Sequence, residues 1–108
     1  MLSSEIRASV DRLRGSLQAR FGSRLREIRL FGSHARGEAR GDSDVDLLVL
    51  IDGLDWREAI EAIHLGADEE LQSGVLLSPM PRATADFERL RAVESQFARA
   101  VDEEGIVV

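Results

Sequence analysis

Between Leu30 and Ile51 the chain carries Gly32-Ser33, then ten residues, then Asp44-Val45-Asp46. Two aspartates one residue apart on an extended segment point to the same face, their backbones about 7 Å apart. Their carboxylates can converge on one or two divalent cations, and hard oxygen ligands of this kind suit Mg2+ or Mn2+. Asp46 stands between Val45 and Leu47 in a run that is otherwise apolar as far as Ile51. An unpaired buried carboxylate is costly. Asp46 must therefore bind a cation, pair with a nearby arginine (Arg36 or Arg40), or lie at the mouth of its strand. Taken alone, the aspartate pair fits structural ion pairing as well as it fits a metal.

Upstream, Gly32 permits a tight turn whose backbone N–H groups can face an anion. Ser33 adds a hydroxyl, and Arg36 a guanidinium fork suited to phosphate. An ordinary glycine turn, with Ser33 capping a short helix, would use the same residue types. The two halves together are more specific. A site for anionic oxygens and a site for divalent metal, on the ends of adjacent strands, are the minimum equipment for moving a phosphoryl or nucleotidyl group.

The segment LFGSHARGEARGDSDVDLLVL resembles the signature of the minimal nucleotidyltransferases, small members of the DNA polymerase β-like superfamily. Their pattern is Gly-Ser, ten residues and Asp-x-Asp, often with Ala-Arg-Gly after the Ser and a Ser before the first Asp. The matching positions are Gly32, Ser33, Ala35, Arg36, Gly37, Ser43, Asp44 and Asp46. The resemblance extends over nearly the whole chain. It implies an α/β (α+β) fold, a small mixed β-sheet flanked by helices, in a single domain spanning 1–108. It implies that Asp44 and Asp46 ligate Mg2+ (or Mn2+). Gly32, Ser33, Arg36 and Ser43 then hold a nucleoside triphosphate, ATP, with Ser33 joining the two aspartates in the catalytic set. In the family a hydroxyl attacks the α-phosphorus and pyrophosphate leaves. Many such proteins are antitoxins paired with a HEPN-domain ribonuclease toxin, and some silence it by transferring AMP to a tyrosine.

One departure stands out. The family pattern has a third acid on the next strand, which helps hold metal and activates the nucleophile. The matching stretch here, 74–79, has no acid, and Ser78 is its only polar side chain. Asp86 is the next acid downstream and reads as a first-turn helix carboxylate, favoured there by the macrodipole. General-base assistance is worth about 10²–10⁴-fold. Its loss leaves two readings open: an adenylyltransferase that is weak or borrows an acid from its partner, and an antitoxin that neutralises its partner by contact. Transfer to a small molecule such as an aminoglycoside ranks third, because the chain has no room for an acceptor domain.

The remaining sequence supplies elements to position these residues. Leu2, Ile6, Val10, Leu13, Leu17 and Phe21 form one helical stripe, capped by Ser3 or Ser4 and ended by Gly22. Leu25–Phe31 alternates as a strand, 32–44 is a glycine-rich loop with room for one helical turn, and Val45–Ile51 reads as a buried central strand. Asp55 and Glu58 form a capping box. Trp56, Ile60, Ile63, Ala67 and Leu71 then trace a second helical face, expected inward, with Trp56 stapling the core. Val75–Leu77 reads as a short strand stopped by Pro79 and Pro81. Residues 84–104 read as helix, broken near Ser95, with Phe87, Leu90, Phe97 and Val101 inward; Ile106–Val108 is an apolar tail. His34 is expected in solvent and His64 at a packing edge.

Composition bounds the rest. The chain has 108 residues, an apolar fraction of 44% and a net charge of −6, and it contains no cysteine. Disulfides, zinc thiolates and cysteine nucleophiles are excluded, and two histidines cannot build a multi-histidine metal site. No apolar run reaches the ~18–20 residues of a membrane span, and the N-terminus lacks a signal-peptide layout. A cytoplasmic protein is the expectation. All 14 basic residues are arginine; residues 1–41 hold nine against four acids, and 42–108 hold five against sixteen. The overall charge argues against strong nucleic-acid binding, while the acidic part suits a basic partner. Few buried residues, the apolar C-terminal tail and the apolar helix faces favour a homodimer or a hetero-complex.

Overall fold

The computed structural model describes residues 2–40 and 43–108, so residues 41 and 42 of the expected loop lie outside the described residues. The elements run α1 (Ser4–Phe21), β1 (Leu25–Phe31), α2 (Ser33–Arg36), β2 (Val45–Ile51), α3 (Trp56–Ser73), β3 (Leu77–Ala83), α4 (Thr84–Ala92), α5 (Gln96–Glu104) and β4 (Ile106–Val107). The strands form one mixed sheet in the order β3-β2-β1-β4. β1 runs antiparallel to β2 and β4, while β2 and β3 are parallel and joined through α3. This is the α/β architecture that the sequence implies.

Alternation along β2 sends its side chains to two cores. Val45, Leu47, Val49 and Ile51 pack with Ile28 and Leu30 against Val10, Leu13, Leu17 and Phe21 of α1 and Ala62 of α3. Leu48 and Leu50 pack on the opposite face against Phe87 of α4 and Ala98 and Val101 of α5. Phe97 meets Phe31 and Phe87 edge-on, with ring centroids 5.8 and 6.2 Å away. β2 is thus covered on both faces, as its continuous apolar run requires.

Local signals hold at most helix ends. Ser3 Oγ accepts from the Ile6 N–H, and Ser95 Oγ accepts from the Ala98 N–H at the break between α4 and α5. Asp55 and Glu58 form the reciprocal capping box. Three expectations change. β3 begins at Leu77 and runs through Pro79 and Pro81 instead of stopping at them. It is an edge strand, and the prolines occupy alternate positions, so both missing donors fall on the free edge where no ladder bond is lost. The C-terminal tail pairs with β1 as β4 instead of trailing.

The third change concerns α3. Trp56 is 69% exposed and Leu71 85%, and Ile60 and Ile63 are also exposed, so Trp56 does not staple the core. The buried side is Ala62, Gly66 and Glu69. A Cβ on Gly66 would lie 2.6 Å from Cγ of Pro79. The helix sits so close to β3 that only small residues fit beneath it. Glu69 is buried on the side that faces α1, where Ser9 Oγ donates to its carboxylate at 3.0 Å and Arg12 Nε at 2.8 Å. His64 is exposed on the same helix.

Candidate functional site

β1 ends at Phe31 and the chain turns at Gly32, whose φ of 76° and ψ of −155° belong to a region that side chains exclude. The turn brings the Gly32 backbone directly against Asp46. A Cβ at Gly32 would overlap Oδ2 of that carboxylate. Ser33 then opens the single helical turn α2, closed by left-handed Gly37. The Glu38 N–H donates to the Ser33 carbonyl at 2.9 Å.

The far end of the loop is tied back to this turn. His34 donates from Nε2 to the Ser43 carbonyl at 3.2 Å, since a carbonyl can only accept. Ser43 Oγ in turn accepts from the Arg40 N–H at 2.8 Å. His34 is therefore half-buried and holds the loop, contrary to its expected place in solvent. Ser43 is occupied with loop architecture through both its carbonyl and its hydroxyl.

Sheet register places Phe31, Asp46 and Ser78 in one row across β1, β2 and β3. Their side chains share the face that α4 and α5 cover further along. Asp46 is half-buried, and Asp44 is exposed just ahead of β2. Burial pushes the Asp46 carboxyl above its usual value, and the negative charge of Asp44 pushes it further. The positive potentials of His34 and Arg36 act in the opposite direction. The glycine turn, both aspartates, His34 and Arg36 therefore share one neighbourhood.

Arg36 pairs with Glu38 at 3.2 Å and with Glu104 of α5 at 3.5 Å. Among the described residues, no arginine forms an ion pair with Asp44 or Asp46, so Arg36 does not neutralise Asp46. Asp86 lies in the first turn of α4 and pairs with Arg89. No cluster of three or more potential metal-binding His, Cys, Asp or Glu residues occurs among the described residues. Ser78, exposed and in register with Asp46, occupies the neighbouring strand position. The roles of His34, Glu104 and Ser78 depend on contacts between segments distant in the chain, which motif spacing does not reveal.

The donor set fits a hard divalent cation. Two carboxylates stand close enough for one to raise the proton affinity of the other, a repulsion that a cation between them relieves. Gly32 leaves the Asp46 carboxylate uncovered by any side chain at its own position.

The nucleotidyltransferase domain family matches residues 10–101. Protein adenylyltransferase MntA of Thermococcus cleftensis is 37% identical over 83 residues, covering 66% of this chain and 82% of that protein. The solved structure of a protein described as a minimal nucleotidyltransferase is 32% identical, with a TM-score of 0.62, covering 95% of this chain and 92% of that one. A toxin–antitoxin crystal structure with AMP-PNP superposes with a TM-score of 0.61 at 22% identity, covering 97% of this chain and 72% of that one, a likeness of fold. No described helix is long and apolar enough to cross a membrane. With its motif, sheet and relatives in agreement, this chain belongs to the nucleotidyltransferase domain family.

Proposed function

We propose that residues 1–108 act as one domain that transfers AMP from ATP to a hydroxyl of a protein partner, a HEPN-domain toxin, and so serve as its cytoplasmic antitoxin. The observation that carries this reading is the junction of Gly32 and Asp46. A glycine-only turn abuts a carboxylate that is half-buried and free of arginine. A purely structural carboxylate would be paired there. The adenylyltransferase relative, the minimal nucleotidyltransferase structure and the nucleotide-bound toxin–antitoxin structure support the same direction.

In this reading Asp44 and Asp46 hold Mg2+ (or Mn2+), which supplies charge neutralisation at the triphosphate and orients it. The turn at Gly32 and Ser33 receives phosphate oxygens. Arg36 swings from Glu38 and Glu104 to the same oxygens, and Ser43 fixes the loop edge. The acceptor hydroxyl oxygen forms a bond to the α-phosphorus as the bond to pyrophosphate breaks, and the hydroxyl proton leaves to a base. With Asp44 and Asp46 both given to the metal, and Ser78 at the place of the family's third acid, that base is water or an acid of the partner.

A second reading rests on the absence of a third acid among the described residues and on Ser78 at that place. The protein would then bind nucleotide weakly and neutralise its partner by contact. One experiment separates the two: incubation with labelled ATP, Mg2+ and the toxin encoded beside it. Label on the toxin that disappears with Asp44→Ala and Asp46→Ala establishes transfer. Toxin inhibition without label, surviving Asp46→Ala and absence of ATP, establishes neutralisation by contact.

A further inference from the structure

The outward face of α3 has no role in the site described. Trp56, Ile60, Ile63, Ala67 and Leu71 all lie on it, and all are exposed. At 100° per residue they fall within about 80° of arc, a continuous apolar stripe. The helix buries its other side with Ala62, Gly66 and Glu69. Small residues are spent on the intramolecular contact, and the large apolar ones face out. Contiguous apolar surface of this kind on a small protein marks an interaction site.

The stripe is close to symmetric about Ile63. Trp56 lies seven positions before it and Leu71 eight after; Ile60 lies three before and Ala67 four after. Two copies of α3 packed antiparallel about a two-fold axis at Ile63 therefore set Trp56 against Leu71, Ile60 against Ala67, and Ile63 against itself. Charge follows the same symmetry. Arg57 and Asp68 lie on one flank of the stripe, six positions before and five after Ile63, so the axis brings each opposite the other. Arg57 stacks over its own Trp56 at 5.2 Å. Among the described residues neither Arg57 nor Asp68 has an ion-pair partner within the chain, whereas Arg20 and Arg24 do.

We infer that α3 is the interface of a homodimer, antiparallel and centred on Ile63. The occupant of the stripe is a second copy of this chain, because spacing and charge on the helix are complementary to themselves. α3 packs on the sheet face opposite to the Asp46 side chain, so the dimer leaves both candidate sites open.

Sedimentation of the wild-type protein at micromolar concentration is expected to give twice the 11.9 kDa chain mass. Ile63→Arg, which sets like charges on the axis, is expected to give a folded monomer with an unchanged far-UV circular dichroism spectrum, since Ile63 is exposed, and with a Tm that no longer rises with protein concentration. Arg57→Asp and Asp68→Arg each weaken the dimer, by about tenfold in Kd, and the double exchange restores it. The chain has no cysteine of its own. Ile63→Cys is therefore expected to cross-link on oxidation, whereas Leu71→Cys is not, its copies lying about 24 Å apart along the helices. A monomeric wild type, a dimer that survives Ile63→Arg, or cross-linking through position 71 in place of 63 overturns the assignment; a monomer that meets the toxin through α3 does so too.

Discussion

The space a side chain would occupy at Gly32 is filled by the carboxylate of Asp46. The absent Cβ would overlap Oδ2 and come within 3.2 Å of Cγ. The glycine that turns the chain and the aspartate of β2 are thus one unit, although fourteen positions separate them. Gly32→Ala meets both a positive φ and a filled space. The strained backbone costs about 1–3 kcal/mol, and Asp46 must rotate away. Urea unfolding checks the stability, and Mg2+-dependent nucleotide binding is expected to fall together with it. Wild-type nucleotide affinity in Gly32→Ala would show that Asp46 does not need this packing.

Asp46 carries a proton affinity raised in the fold above the ordinary 3.8 by burial and by Asp44. Below 3.8 both folded and unfolded chains are protonated there, and the preference of the fold for the neutral form adds to stability. That contribution is lost as pH rises through the raised folded value, so at neutral pH the charge weighs against folding. Asp46→Asn is expected to raise Tm at pH 7, with the advantage shrinking as pH falls toward 3.8. Adding Mg2+ should reverse the order, since a ligand of the folded state stabilises only the chain that binds it. Thermal melts of both proteins across pH, with and without Mg2+, test both halves.

The N-terminus of α3 makes an opposite pH prediction. Glu58 accepts from Arg24 Nη1 at 2.7 Å and from the Asp55 N–H at 3.2 Å, and the Arg24 bond first, then the backbone bond, lowers its pKa from 4.5 to about 2. Its contribution is present above 4.5 and lost as pH falls through about 2. Glu58→Gln should flatten the acid limb of the stability profile over that interval. Asp55→Ala, which removes the reciprocal cap, is expected to cost about 1 kcal/mol at neutral pH.

Gly66 tests the packing that the sequence conceals. Glycine within a helix is ordinarily about 1 kcal/mol worse than alanine, so Gly66→Ala looks stabilising on paper. Here the added methyl would meet the rigid Pro79 ring, Cγ at 2.6 Å and Cδ at 2.9 Å. The expected result is a loss of about 1–3 kcal/mol from overpacking, read from the shift of the urea midpoint. A gain would mean that α3 can lift off β3 at little cost.

These residues also show where sequence reading succeeds and where it stops. β2 was legible because a strand covered on both faces needs an unbroken apolar run, and Asp46 stood out against it. The caps at Ser3, Asp55 and Ser95 were legible because capping is local chemistry. The orientation of α3 was not. Periodicity locates an apolar stripe but assigns it inward by default, and here a tight helix–strand contact takes Ala62 and Gly66 while Trp56 and Leu71 face out. Pro79 and Pro81 read as a stop because their tolerance depends on β3 being an edge, a fact of topology. At the site, spacing gave the Gly-Ser and Asp-x-Asp motifs. The His34 tether to Ser43 and the pairing of Arg36 with Glu104 exist only once the loop and α5 are in place.

Ser78 offers the sharpest test of how much chemistry the site retains. It lies in register with Asp46 on the parallel neighbour strand, exposed and on the same face. A carboxylate there would stand beside Asp46, where the resemblance places the family's third acid. Ser78→Asp adds a third oxygen ligand and a base for the acceptor hydroxyl, and general-base assistance is worth about 10²–10⁴-fold. The wild-type site lacks that base, so the variant is expected to transfer label from ATP to the toxin at least tenfold faster, with a steeper dependence on Mg2+. The added charge also raises the proton affinity of Asp46 further, which moves the rising limb of the pH–rate profile upward. If Ser78→Asp leaves the rate and its pH profile unchanged, the base comes from the partner, and label transfer should then depend on an acid beside the modified hydroxyl of the toxin.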